Sequence, residues 1–411
     1  MKLLRIAFIL TIVSFLATNF PIGAVGVYSR FGALALLIAV CLALVSRLRT
    51  RILSPLLVAI YVFLTYSFVT IFWTENLLLS FAKWVLYASL AFSLLLSGVI
   101  IGQGSKGENP FGPLKWGFIP MVLTSCYALI RGIGWVENNF RAYSGNSNAL
   151  GASLMLTSPW LIYELKRSRG APAWRRRLLY LLAAGMIAVT METHSRAALV
   201  SLFVVVLISS RQTTTTGRMQ IVYAISSILV LTYALSGSSL FDRFYYTFVQ
   251  KNRSQIFASR GEQMDDSWQA AKEGGVFGAG FGVSIGVSRY WDANTTFSAA
   301  SREKGNSTLA IVEETGLVGL FFYSVILLTL FLHFRRASHT NDPEQRFIAL
   351  LGLGYFAAAL LHGQFEAWFL SFGPDVSVYW GTLGLAIGAL SREPAESLKT
   401  LPVPMTVTAR A

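Results

Sequence analysis

The chain has 411 residues, 54% of them apolar and 13% charged, with a mean hydropathy of +0.56. Soluble domains carry about 25% charged residues, so a soluble enzyme, a disordered chain and a small secreted domain are excluded, and the composition is that of an all-α polytopic membrane protein. The net charge of +14, from 34 Lys+Arg against 20 Asp+Glu, then reads as basic loops on one side of a bilayer rather than as nucleic-acid binding.

A hydropathy window of about 19 residues gives twelve expected spans, near 4–22, 31–46, 52–73, 79–101, 115–134, 147–165, 178–192, 196–210, 219–236, 308–333, 347–370 and 374–391. The first has Lys2 and Arg5 at its start, like a signal peptide. It ends in Asn19-Phe20-Pro21-Ile22 without a small-residue cleavage site, and the expectation is a retained signal-anchor helix. Cys41 and Cys126 both lie in apolar stretches and are expected to be packing residues. Positive charge collects on alternate connections: Arg47, Arg49 and Arg51, then Lys106 and Lys115, then the run from Lys166 to Arg177, and later Arg211 and Arg218, Arg335 and Arg336, and Arg392. The other set is poor in charge, as at Ser29-Arg30 and Thr74-Glu75-Asn76. The positive-inside rule then places both termini in the cytoplasm.

The expected organisation is helices 1–9 over 1–236, an outer loop over 237–306, helices 10–12 over 307–391 and a flexible cytoplasmic tail over 392–411. A connection as long as the loop is functional or disordered, and its aromatic richness argues against disorder. Within it, Met264, Trp268 and Ala271 recur at helical spacing among acidic and basic neighbours, which predicts an amphipathic helix at the membrane surface. Gly278, Gly280 and Gly282 spell G-x-G-x-G, but no strand–helix nucleotide unit surrounds them. A turn that brings backbone close to the membrane or a ligand fits them better.

Ionisable groups at membrane depth are functional hypotheses by default. Four clusters meet that description. Arg196 follows a tight turn, Thr193-His194-Ser195, between two short spans. Arg260 opens the amphipathic helix. Glu303 and Lys304 precede Asn306, a helix cap or a site residue, with Glu313 and Glu314 just beyond. His362 and Glu366 are spaced i, i+4, which in a continuous helix puts both on one face as an acid/base pair or a structural one. Asn146 and Asn148, entering the sixth span, are sugar or headgroup hydrogen-bonders or an N-cap turn. Two guanidinium groups converging on one face suit a diphosphate, which they bind bidentately. No His/Cys/carboxylate set has metal-ligand spacing, so no metal and no other cofactor is expected.

Taken in order, Trp73-Thr74-Glu75-Asn76, Gly145-Asn146-Ser147-Asn148, Ser195-Arg196-Ala197, Ser259-Arg260 with Trp268, Phe277-Gly278-Ala279-Gly280, Asn306-Ser307 and Glu314-Thr315-Gly316-Leu317-Val318-Gly319 resemble the O-antigen ligase and polymerase superfamily, membrane glycosyltransferases of GT-C-like helical architecture. The resemblance implies inverting, metal-independent transfer of a glycan from undecaprenyl pyrophosphate to a lipid A core or a growing polysaccharide at the periplasmic face. By position, Arg196 and Arg260 would hold the donor diphosphate, and Asn146, Asn148, Trp268 and Asn306 would contact glycan or headgroup. Many ligases carry a histidine directly before the asparagine of the tenth span, where this chain has Gly305. Base work would then fall to Glu303, Glu314 or the His362/Glu366 pair, with Lys304 supplying charge. A flippase or transporter of polyprenyl-linked sugars, or a non-catalytic subunit of a polysaccharide assembly complex, would also place arginines against pyrophosphate.

Overall fold

The computed structural model describes residues 1–19, 23–44, 54–136, 139–212, 261–285 and 304–392. Among them the fold is all-α apart from one two-residue hairpin, Trp135–Val136 with Asn139–Phe140, that follows the fifth helix. In chain order the helices are α1 (Lys2–Ala17), α2 (Gly23–Leu44), α3 (Ser54–Val69, prolonged by a 3-10 turn to Trp73), α4 (Leu77–Gly104) and α5 (Lys115–Ile130). After the hairpin come α6 (Ser147–Thr157), α7 (Pro159–Arg167), α8 (Ala173–Glu192), α9 (Arg196–Ser209) and α10 (Gly261–Gly274). Last are α11 (Ser307–Ala337), α12 (Pro343–Gly363) and α13 (Pro374–Leu390).

Six of the described helices (α2, α3, α4, α5, α11 and α12) are long and apolar enough to cross a bilayer, and α9 is a shorter apolar helix. This is a multi-pass α-helical membrane protein. The expected span at 219–236 lies outside the described residues, as does the tail from 393.

Several expected spans are corrected by local chemistry. Arg30, expected in an outer loop, lies inside α2. Its guanidinium sits 5.0 Å from the Phe31 ring and 5.1 Å from Phe372, and attraction of the cation to these ring faces offsets part of the cost of holding it in the helix. The span expected at 147–165 is two helices, because Pro159 has no N–H to give to Met155; Ser158 keeps helical angles and donates its own N–H and hydroxyl to that carbonyl. The span expected to reach 370 stops at Gly363, where Gln364 and Phe365 turn back onto Leu361 and His362. The span expected at 308–333 is interrupted: Gly316 has φ 70° and ψ −175°, outside any helix. The amphipathic helix stands where the spacing put it, as α10.

The tightest packing joins α4 to α13. The two run parallel, with Gly98 and Gly102 facing Gly381, Gly384 and Gly388. A Cβ on Gly98 would lie 2.7 Å from the Gly381 carbonyl oxygen, and one on Gly388 would fall on the backbone of Val99. In lipid the hydrophobic effect does not drive helices together, and small residues at i, i+4 let backbones approach closely enough for dispersion to do so. Arg392 ties the far end of this pair by giving two hydrogen bonds, 3.0 and 2.8 Å, to the Gly102 carbonyl.

Candidate active site

The break in α11 sets up the site. A helix interrupted at membrane depth leaves carbonyls above the gap and N–H groups below it without partners, each costly in hydrocarbon. Here the segment after α10 fills the gap with its own backbone. Ala279 N–H donates to the Glu313 carbonyl at 2.8 Å and Gly280 N–H to that of Glu314 at 3.0 Å. Below the gap, Leu317 and Val318 donate to the carbonyls of Gly275 and Val276, both at 3.2 Å. Contact this close needs glycine on both sides: Gly278 has φ 82°, and a Cβ there would lie on the Glu314 backbone, as one on Gly316 would on Val276. The G-x-G-x-G run is thus a turn for close backbone approach, to another part of its own chain.

Side chains then lock the inserted segment. From α3, Thr70 Oγ1 accepts from Phe281 N–H at 3.1 Å and Trp73 Nε1 donates to the Gly278 carbonyl at 2.9 Å. From α4, Ser80 and Lys83 each donate at 2.6 Å, to the carbonyls of Phe281 and Gly282. From α11, Glu314 Oε2 accepts from Gly282 N–H at 2.8 Å and Glu313 Oε1 from Ile285 N–H at 3.0 Å. Lys304 Nζ completes the set, 2.6 Å from Glu314 Oε1 and 3.3 Å from Glu313 Oε2, with side-chain exposures of 9, 9 and 0% for Lys304, Glu314 and Glu313. Lys83 was not singled out in the sequence, although a lone lysine inside an apolar span is itself a signal.

Above this seam, Asn306 caps α11: its Oδ1 accepts from Leu309 N–H at 3.0 Å, and its amide donates to the Gln364 carbonyl at 2.9 Å. Ser307 Oγ donates to the Glu366 carbonyl at 2.7 Å and accepts from Trp368 N–H at 3.0 Å. The start of α11 is therefore stitched to the turn that follows α12. His362 is buried, and its Nδ1 accepts from the Trp368 indole at 3.0 Å. This corrects the expected shared helix face of His362 and Glu366. The helix ends at Gly363, so Glu366 lies in the turn, half-buried and within electrostatic reach of Asp375 at the first turn of α13.

Arg196 reaches the same end of the bundle. The turn before it holds His194 at φ 51°, with Thr193 Oγ1 accepting from Ser195 N–H at 3.3 Å and Ser195 capping α9 through Ala198 N–H. Gly151 on α6 packs against Ser195 and Ala198, so α6 and α9 begin side by side. Helix α7 ends beside the start of α12, where Tyr163 donates to Glu344 at 2.7 Å. Helix α12 is therefore antiparallel to α9, and Gly354 packs against Val205 and Ile208. That register brings Arg196 to the level of the His362–Glu366 turn. Asn146 caps α6 at this end, its Oδ1 accepting from Asn148 N–H at 2.8 Å. The positive ends of α6, α9 and α11 thus lie with Arg196 at one end of the bundle, an arrangement that favours an anion.

Arg260 and Glu303 lie outside the described residues. Trp268 is half exposed on α10 with Lys272 Nζ 5.4 Å from its ring, and the neighbouring Ser267 holds Gly305 N–H at 3.1 Å. Of the sequence clusters, the structure joins Asn306 to the Glu366 turn and Lys304 to Glu313 and Glu314, and brings Arg196 to the same end of the bundle as the first pair.

The chain is thus a multi-pass membrane protein with a cluster of polar and charged side chains at one end of its bundle. Residues 179–324, from α8 through the break in α11, match the family model described as O-antigen ligase. That match is consistent with a member of the O-antigen ligase/polymerase superfamily. No curated protein matches the chain.

Proposed function

We propose that this protein is an inverting, metal-independent glycosyltransferase that moves a glycan from undecaprenyl pyrophosphate to a lipid A core or growing polysaccharide. It would act at the periplasmic face of the inner membrane, from a GT-C-like bundle of twelve spans with both termini cytoplasmic. The observation that carries this reading is that one family match takes in Arg196, Arg260, the inserted segment and the helix break together. Arg196 and Arg260 grip the donor diphosphate and stabilise charge as it develops on the leaving group, with the N-termini of α6, α9 and α11 adding to the field. Asn146, Asn148, Asn306 and Trp268 lie where glycan or headgroup would pass.

Of the candidate bases Glu303, Glu314 and the His362/Glu366 pair, Glu303 lies outside the described residues, and among the others the assignment falls best on Glu366. Both Glu314 oxygens are already engaged, one by Gly282 N–H and the other by Lys304, which leaves neither turned to a substrate hydroxyl. His362 is 1% exposed with Nδ1 engaged by the Trp368 indole, so its neutral form carries its proton on Nε2 and serves as a donor. Lys304, with Lys83 nearby, offsets the charge of Glu313 and Glu314.

The purified protein, given undecaprenyl-pyrophosphate-linked oligosaccharide and candidate acceptors in detergent, is expected to release undecaprenyl pyrophosphate. Arg196→Ala and Arg260→Ala should each lower the rate about 10²–10³-fold, and Glu366→Gln about 10²–10⁴-fold. Full activity in both arginine variants would overturn the assignment. Wild-type protein that translocates the donor across vesicles but releases no pyrophosphate would favour the flippase reading.

A further inference from the structure

A second built feature lies away from this site. A cavity of about 810 Å³ opens between α1, α5 and α8, at residues belonging to the basic connections of the chain. Three tryptophans line it: Trp160 is buried, whereas Trp116 and Trp174 are 55% and 68% exposed. Amphipathic indoles of this kind concentrate where hydrocarbon gives way to headgroups. Deeper lining comes from Ile9, Ile119, Leu179 and Leu182, a wall suited to an acyl chain.

The charges at the mouth do not cancel. Arg5 pairs with Glu108 at 2.8 Å, and Arg175 with Glu164 at 2.9 Å, so both carboxylates of the lining are neutralised. Lys115 remains: it is exposed, lies 5.2 Å from the Trp116 ring, and has no carboxylate at ion-pair distance among the described residues. Arg5 also holds a buried Nε–H with no hydrogen-bond partner there, although its two terminal nitrogens are engaged by Glu108 and Ser105. A surplus ammonium and a spare guanidinium N–H thus line one cavity with an indole rim and an aliphatic floor.

We propose that this cavity binds an anionic glycerophospholipid, its phosphate held by Lys115 and Arg5 and an acyl chain lying along α1 and α8. Its volume falls in the range of small-molecule sites, roughly 300–1,000 Å³, and basic pockets between spans on the positively charged face are where anionic headgroups bind. Nothing in the transfer reaction requires it.

Native mass spectrometry of the full chain, with phosphatidylglycerol and phosphatidylcholine offered at equal concentration, tests the proposal. The wild type should retain phosphatidylglycerol preferentially. Lys115→Ala should lower that retention about fivefold, the effect of one lysine near a charged lipid surface, and Lys115→Arg should keep it. Trp174→Ala, at an exposed position, should weaken retention of both lipids. Equal retention of the two lipids by the wild type, unchanged phosphatidylglycerol retention in Lys115→Ala, or its displacement by inorganic phosphate alone would each overturn the proposal.

Discussion

Two seams hold this bundle together, and they solve the same problem in opposite ways. Between α4 and α13, glycines strip away side chains until two intact helices touch backbone to backbone. At the break in α11, one helix is opened and another segment's backbone enters the gap, with Lys304, Glu313 and Glu314 closing round it. The first seam depends mainly on shape, with Arg392 bonding across only its far end. The second exchanges hydrogen bonds between distant parts of the chain and needs each polar group to be met. A contact of shape fails by degrees, whereas a satisfied polar network in hydrocarbon fails when one member is lost.

That contrast can be broken experimentally. Lys304→Met removes the ion-pair partner of both buried carboxylates, leaving Lys83 as the one cation near them among the described residues, and should cost about 3–5 kcal/mol, read as a fall in thermal stability of the detergent-solubilised protein. The quadruple variant Lys83→Met/Lys304→Met/Glu313→Gln/Glu314→Gln should recover part of that loss, because no unpaired charge remains. Gly388→Ala forces a methyl group onto the Val99 backbone and should cost about 1–3 kcal/mol, the parallel pair moving apart rather than unravelling. If it proved more damaging than Lys304→Met, the ranking of the two seams would be reversed. Gly316→Ala combines a left-handed backbone with a clash on Val276, also about 1–3 kcal/mol, and should expose the amides of Leu317 and Val318 to hydrogen exchange while those of α4 stay protected. The smallest effect is expected from Asn306→Ala, about 1 kcal/mol for a lost N-cap, with stability of the α4–α13 pair untouched.

The two seams also differ in how far they could be read from the chain. Apolar runs announced the long helices, and the amphipathic spacing of Met264, Trp268 and Ala271 announced α10. Gly98-x-x-x-Gly102 and Gly384-x-x-x-Gly388 were open to the same reading, since small residues at that spacing signal close helix approach. The break at Gly316 was hidden: a hydropathy window averages across one glycine, and what stabilises the gap lies some forty residues earlier in sequence. The polar run Glu313-Glu314-Thr315-Gly316 pointed to the place but not to the partner. The pairing of His362 with Glu366 failed for a related reason. Spacing of i, i+4 carries meaning only while the helix continues, and at Gly363 the chain turns toward Ser307 instead. Arg196 was legible because a tight turn between two short apolar runs leaves it little freedom, whereas its neighbours at the site come from α11 and α12 and could be known only from packing.

The order of the chain gives the opened helix a further consequence. Segment 274–285 leaves the ribosome before residue 316 does, so the backbone groups that complete α11 are already made when that helix reaches the translocon. Were α11 inserted first, its four unmatched amide and carbonyl groups would face lipid during biogenesis, each at a cost of several kcal/mol. Moving the segment behind α11 by circular permutation would keep every contact of the finished protein yet remove this head start, and the yield of inserted protein should fall accordingly.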